Sequence, residues 1–172
     1  MPFDFKRFSW NLKLSLIVNA VAFKNPAPAG TRFVSRKKTY KSDIDVSLYK
    51  YPHTIIEAIK SNPPDILALS NYSWNSRLSE RICEIAKTYN PRCVTAQGGT
   101  NFPHQAPLQR DFLIERPHTD FHIELEGEVA FVELIRLTLA ARDGTTRMFD
   151  APVSGSVFIQ PESRHTHLPV LV

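Results

Sequence analysis

An α/β fold with an open, mostly parallel sheet and helices on both faces is what this sequence predicts, and three observations carry the expectation. Ile66 to Leu69 and Cys93 to Ala96 are short runs built from apolar and β-branched residues, as strands covered on both faces require. Between them, Leu78, Ile82, Ile85, Ala86 and Tyr89 recur at helical spacing and give one buried stripe. Strand-like and helix-like segments then keep alternating to Arg142, the pattern of repeated βα units.

The elements follow in order. Leu14 to Asn19 is an apolar, β-branched-rich run and makes a first strand. Two prolines and Gly30 in Asn25-Pro26-Ala27-Pro28-Ala29-Gly30 stop it. The stretch from Thr31 to Ser42 is basic, with Arg32, Arg36, Lys37, Lys38 and Lys41 around Phe33 and Tyr40. Ile44 to Tyr49 alternates apolar and polar residues and fits an edge strand. Pro52 suits a first helical position before Thr54 to Ser61, whose Ile55, Ile56 and Ile59 share a face. Asn62-Pro63-Pro64 ends that helix, and Ile66 to Leu69 is the next strand. Asn75 or Ser76 is placed to cap a helix over Arg77 to Tyr89. After Asn90-Pro91 come a strand at Cys93 to Ala96, a short helix at Leu108 to Glu115 and a short strand at Phe121 to Glu124. Glu128 to Arg142 is a strongly apolar helix that Asp143-Gly144 terminates. Beyond it only Val157 to Ile159 has strand character, so an irregular C-terminal extension is expected.

Composition bounds the function. With 172 residues, 42% hydrophobic and 22% charged, the chain suits one well-cored soluble domain. A net charge of +4 from 21 basic and 17 acidic residues does not make a nucleic-acid binder, and the run from Arg36 to Lys41 fits a solvated loop. Two cysteines, Cys83 and Cys93, exclude a disulfide framework and suit a reducing, cytoplasmic setting. Lys6, Arg7 and Lys13 before the apolar run from Leu14 to Phe23 outline a signal peptide, but Asp4, Asn19 and Pro28 argue against it. No segment reaches the ~20 apolar residues of a membrane span.

Ligands of parallel sheets sit on the loops after the strands, and three such loops hold suitable residues. Ser70, Asn71, Tyr72, Ser73, Trp74 and Asn75 offer hydroxyl and amide groups together with aromatic walls. They also have a purely structural reading, as helix caps and rim packing. Gly98, Gly99 and Thr100 let a backbone come close to a ligand, or simply make a tight turn. Glu126, Gly127 and Glu128 precede the last helix, where the helix dipole alone favours acidic groups. Neither G-x-G-x-x-G nor a P-loop occurs, and no nucleophile elbow or acid–base pair stands out. His165 and His167 have a metal-compatible spacing with no further ligand near them in sequence, so no protein metal site is expected.

Taken in order, Pro64-Asp65-Ile66-Leu67-Ala68-Leu69-Ser70-Asn71-Tyr72-Ser73-Trp74-Asn75, Pro91, Gly98-Gly99, Asp120-Phe121 and Glu126-Gly127-Glu128 leading into Phe131 and Leu134 resemble the N-terminal cobalamin (B12)-binding domain of B12-dependent radical SAM proteins. The resemblance spans roughly residues 12 to 142. It implies a flavodoxin-like Rossmann three-layer fold holding cobalamin across the carboxyl edge of the sheet. The nucleotide tail would lie against Ser70 and Gly98-Gly99, Tyr72, Trp74 and Asn75 would line the corrin edge, and the corrin would face a partner domain. Leu125 stands where the family commonly has glycine, and Thr100 where it has proline. The cluster motif C-x-x-x-C-x-x-C is absent, so a [4Fe-4S] cluster and S-adenosylmethionine belong to a radical SAM domain supplied in cis or in trans. The loop Asn19-Ala20-Val21-Ala22-Phe23-Lys24 has no histidine, which implies His-off cobalamin with no protein lower ligand.

The resulting expectation has three segments: an N-terminal arm at 1–11, a cobalamin-binding domain at 12–144, and a linker or the start of a further domain at 145–172. The module is not catalytic by itself and serves a methyltransferase-like system. The alternative is a Rossmann-like interaction or regulatory module with a vestigial pocket, which the apolar stretch from Leu168 to Val172 would help to dock. A nucleotide-dependent transferase half is disfavoured by the missing phosphate loop.

Overall fold

The computed structural model describes residues 12–17, 44–124, 127–142, 144–150 and 152–161. Six strands form one sheet: β1 (Leu12–Ile17), β2 (Ile44–Tyr49), β3 (Ile66–Ser70), β4 (Val94–Gly98), β5 (Phe121–Ile123) and β6 (Ser156–Phe158). Four helices connect or flank them: α1 (Pro52–Ser61), α2 (Ser76–Tyr89), α3 (Ala106–Ile114) and α4 (Gly127–Arg142). The strand order is β2-β1-β3-β4-β5-β6. β1 to β5 pair in parallel, and β6 runs antiparallel to β5. The order reverses between β1 and β3, which in doubly wound sheets is where ligands bind.

Alternation along the strands sorts the core into layers. Ile66 and Ala68 of β3 join Val94, Ala96, Phe121 and Ile123 against Ala130, Leu134, Ile135 and Leu139 of α4. Leu67 and Leu69 point the other way, onto Ile55 and Ile59 of α1 and Ile82, Cys83 and Ala86 of α2. A smaller cluster joins Leu113 of α3 to Val157 and Ile159. The sheet thus has α1, α2 and α3 on one face and α4 on the other, the three-layer fold that the sequence predicts.

Where boundaries moved, pairing moved them. β1 starts and ends two residues earlier than the apolar run suggests, because its ladder with β3 joins Leu14 to Ile66 and Ile17 to Leu69. β4 extends through Gln97 to Gly98, since Ser70 pairs with Gly98. Gly98 is therefore the last ladder residue and not half of a turn. The strand expected near Val157 is β6, and its bonding to β5 brings part of the expected 145–172 extension into the sheet.

Asp65 and Asp120 lie at the amino ends of β3 and β5, away from the loops of interest. Asp65 pairs with Arg142 at 2.7 Å. Asp120 pairs with Lys87 and accepts from the Thr95 backbone N–H and hydroxyl at 2.9 and 3.0 Å.

Candidate functional site

The carboxyl ends of β3 and β4 are sewn together by their loops. Asn71 N–H donates to the Gly98 carbonyl at 2.7 Å, and Asn101 N–H reaches the Asn71 carbonyl at 3.4 Å. Gly99 sits in this seam with φ +135°, and a Cβ there would lie 2.4 Å from the Asn71 carbonyl oxygen. Any side chain at 99 would push the two loops apart, so the contact with Asn71 by itself explains this glycine. Gly98 is different: a Cβ would meet Ile123 at an ordinary 3.5 Å.

Asn75 closes the loop after β3, but not as a helix cap. It has no capping bond to the first turn of α2. Its Oδ1 accepts from Tyr72 N–H at 2.6 Å, and its Nδ2 donates to Ser70 O and Oγ at 2.9 and 3.1 Å. Ser79 Oγ adds a bond to Ser70 O at 3.0 Å. Ser70 Oγ accepts from Asn75 and keeps its own hydroxyl proton to donate. Beside it, the Tyr72 and Trp74 rings stack with centroids 4.8 Å apart and planes 5° apart, and Trp74 is 69% exposed.

Beneath the loops runs a chain of buried side-chain bonds. Asn101 Nδ2 donates to Asn71 Oδ1 (3.0 Å), Asn71 Nδ2 to Gln97 Oε1 (2.7 Å), and Gln97 Nε2 to Thr119 Oγ1 (2.7 Å). Thr119 Oγ1 donates to Glu80 Oε2 (2.7 Å), while Glu80 Oε1 accepts from His118 N–H and lies 2.9 Å from His118 Nδ1. Asn71 is fully buried, so of the expected contact residues it is the one committed inward. Sequence reasoning passed over Asn101, Gln97, Thr119 and Glu80. Gln97 left a signal: an amide directly following the apolar strand residues and preceding the glycine pair.

One strand further on, His122 pairs in register with Gln97. Its ring stacks on Phe102 at 3.8 Å and meets Phe112 edge-on at 5.9 Å, and neither ring nitrogen has a partner. Burial, helped by the Arg116 charge, pushes its pKa down to about 3, so the imidazole is neutral. Arg116 itself lies over the Phe112 ring, 3.5 Å from its centroid.

The remaining expected residues are scattered around this edge. Thr100 and Glu128 are exposed, Glu128 in the first turn of α4, and Gly127 opens that helix with its Cα facing Ile123 Cγ2. Glu126, His165, His167, the basic stretch 31–42 and the loop at 19–24 lie outside the described residues. Cys83 and Cys93 are free and buried. Burial raises the Cys83 thiol far above its ordinary range and pushes Cys93 up to about 12, so neither is a nucleophile. Among the described residues no group of three His, Cys, Asp or Glu could hold a metal ion, and no helix is long and apolar enough to cross a membrane.

Comparison with known proteins agrees with this geometry. The family model for the B12 binding domain matches residues 30–135. The chain is 36% identical over 85 residues to 2-(S-pantetheinyl)-carbapenam-3-carboxylate methyltransferase from Streptantibioticus cattleyicolor, covering 49% of this chain and 12% of that protein. It is 36% identical over 77 residues to the cobalamin-dependent radical SAM methyltransferase TokK from Streptomyces tokunonensis, covering 45% of this chain and 11% of that protein. The chain thus spans about a tenth of these relatives. The cobalamin-dependent S-adenosylmethionine radical enzyme OxsB, solved with aqua-cobalamin and S-adenosylmethionine bound, matches 88% of this chain and 21% of its own with a TM-score of 0.60 at 18% identity, which is a likeness of fold.

Proposed function

The chain belongs to the B12 binding domain family, and from that premise we propose that its carboxyl edge holds cobalamin for the radical chemistry of a partner domain. The observation that carries the reading is the donor set at the edge. Ser70 keeps a hydroxyl proton, Asn101 and the Gly98 region supply neutral polar groups, and the stacked Tyr72–Trp74 pair stands exposed beside them. Hydroxyl and amide groups next to an aromatic platform suit a flat macrocycle fringed with carboxamides better than they suit a phosphate. Ser70 hydrogen-bonds the tail, Gly98 gives it backbone access, and Tyr72, Trp74 and Asn75 line the corrin, with Thr100, Gly127, Glu128 and Glu126 at the rim. Asn71 acts through the others, and Gly99 by letting the two loops meet.

When bound, cobalamin supplies methyl transfer from cobalt. This chain's residues bind and orient it. The segment from Asn19 to Lys24 carries no histidine, so the cobalt takes no protein lower ligand. The two cysteines are buried neutral thiols, so a [4Fe-4S] cluster and S-adenosylmethionine are held by a radical SAM domain in cis or in trans. The parent activity is a methyltransferase-like reaction in the cytoplasm.

The test is uptake of hydroxocobalamin, followed by visible spectroscopy after gel filtration. Cobalt should co-elute with the folded chain, and Trp74→Ala should weaken binding without altering the fold. A folded chain that elutes without cobalt would instead support the rival reading, a regulatory module with a vestigial pocket. That rival draws on one observation: Asn71, Asn75 and Gln97 already satisfy one another or the adjoining backbone without a ligand.

A further inference from the structure

The amide chain under the loops has only one possible polarity. A carboxylate accepts and never donates, so Thr119 Oγ1 must give its proton to Glu80 Oε2. That leaves Thr119 Oγ1 to accept from Gln97, which fixes Nε2 toward Thr119 and Oε1 toward Asn71. Asn71 must then turn Nδ2 to Gln97 and Oδ1 to Asn101, and Asn101 must turn Nδ2 to Asn71. Each amide orientation is set by the one before it, from a carboxylate on α2 to the rim of the sheet. Asn101 Oδ1, half-buried at that rim, is the one oxygen in the series with no partner among the described residues.

Resting on the cobalamin reading, we propose that Asn101 Oδ1 is a fixed hydrogen-bond acceptor for a carboxamide N–H on the fringe of the bound corrin, and that Glu80, through Thr119, Gln97 and Asn71, is the positioning residue that keeps it an acceptor. A free asparagine at the rim would offer a donor or an acceptor by rotating its amide. Here rotation would set Asn101 Oδ1 against Asn71 Oδ1, two acceptors face to face, so only one choice is open. The ligand chemistry selected is therefore an N–H donor, and a carboxylate at the same place is repelled.

The experiment uses the 172-residue chain with hydroxocobalamin and with cobalamin monocarboxylates, each having one peripheral carboxamide turned into a carboxylate. The wild-type chain should discriminate against one of the monocarboxylates by about tenfold relative to the others, the loss expected when a hydrogen bond is replaced by repulsion. Asn101→Ala should bind hydroxocobalamin roughly fivefold more weakly and lose that discrimination. Glu80→Gln, which can donate as well as accept, frees the polarity of the series; it too should lose the discrimination although it lies far from the rim. Wild-type chain that treats all monocarboxylates alike overturns the inference, as does Asn101→Ala that keeps the wild-type preference. Wild-type chain that takes up no hydroxocobalamin overturns the cobalamin reading itself, and this inference with it.

Discussion

Gln97 and His122 are register partners on adjacent parallel strands, both almost wholly buried at 1% and 0% exposure, and they meet the cost of burial in opposite ways. Gln97 uses both ends of its amide, accepting from Asn71 and donating to Thr119, with the Cys83 sulfur 3.8 Å from Nε2. His122 uses neither nitrogen; it is enclosed by Phe102 and Phe112 and stays neutral. Two neighbouring polar side chains thus divide into a connected one that shapes the ligand edge and an isolated one that packs as a flat aromatic. Orphaned polar atoms cost free energy where bonded ones do not, so the two positions should respond oppositely to apolar replacement.

The largest effect should come from breaking the seam above Gln97. Gly99→Ala puts a Cβ 2.4 Å from a backbone oxygen and demands a φ that alanine avoids; a loss on the order of 4 kcal/mol is expected by urea titration. Gln97→Leu should cost about 2–3 kcal/mol by the same measurement, because Asn71 Nδ2 loses its buried acceptor. His122→Phe should stay within about 1 kcal/mol of wild type at pH 7, since it removes two orphaned nitrogens from an aromatic enclosure. Equal losses at Gln97 and His122 would erase the contrast between them.

Acid sharpens the comparison at His122. Burial lowers its folded pKa to about 3, against an ordinary 6.5. The unfolded chain therefore takes up a proton below pH 6.5 that the folded chain refuses. Stability is fully present above that pH and is lost as the pH falls toward 3, by up to ~1.4 kcal/mol per unit. The difference in stability between wild type and His122→Phe should shift by about 2 kcal/mol between pH 6.5 and 5 in favour of the variant. A pH-independent difference would mean that His122 is not held neutral. The smallest effect is expected outside both networks: Trp74→Ala, at a 69% exposed site, should change stability by less than about 0.5 kcal/mol.

Most of the fold was legible because burial writes periodicity into sequence. Ile66 to Leu69 announced a central strand, and the stripe from Leu78 to Tyr89 announced α2, each within a residue or so of its observed bounds. β1 was less well placed, since an apolar run can slide along its partner until the ladder with β3 fixes it. The candidate site was legible as loops but not as roles. Asn75 looked like a cap and instead bonds back to Ser70, because the loop's own backbone needed closing more than the helix did. Asn71 looked like a contact residue and is buried, and Asn101 carried no signal at all.

What the sequence by itself determined is the layered α/β order, the position of the loops at the sheet's carboxyl edge, and the resemblance that led to cobalamin. These depend on local spacing, which a linear chain displays. Only the tertiary structure decided that Gly99 is required by the Asn71 backbone, that β6 closes the edge beside β5, and that Glu80 orients an amide series ending at Asn101. Those are contacts between residues 20 to 40 positions apart, by the separations within the series, and hydrogen-bond polarity across such distances exists only once the chain has folded.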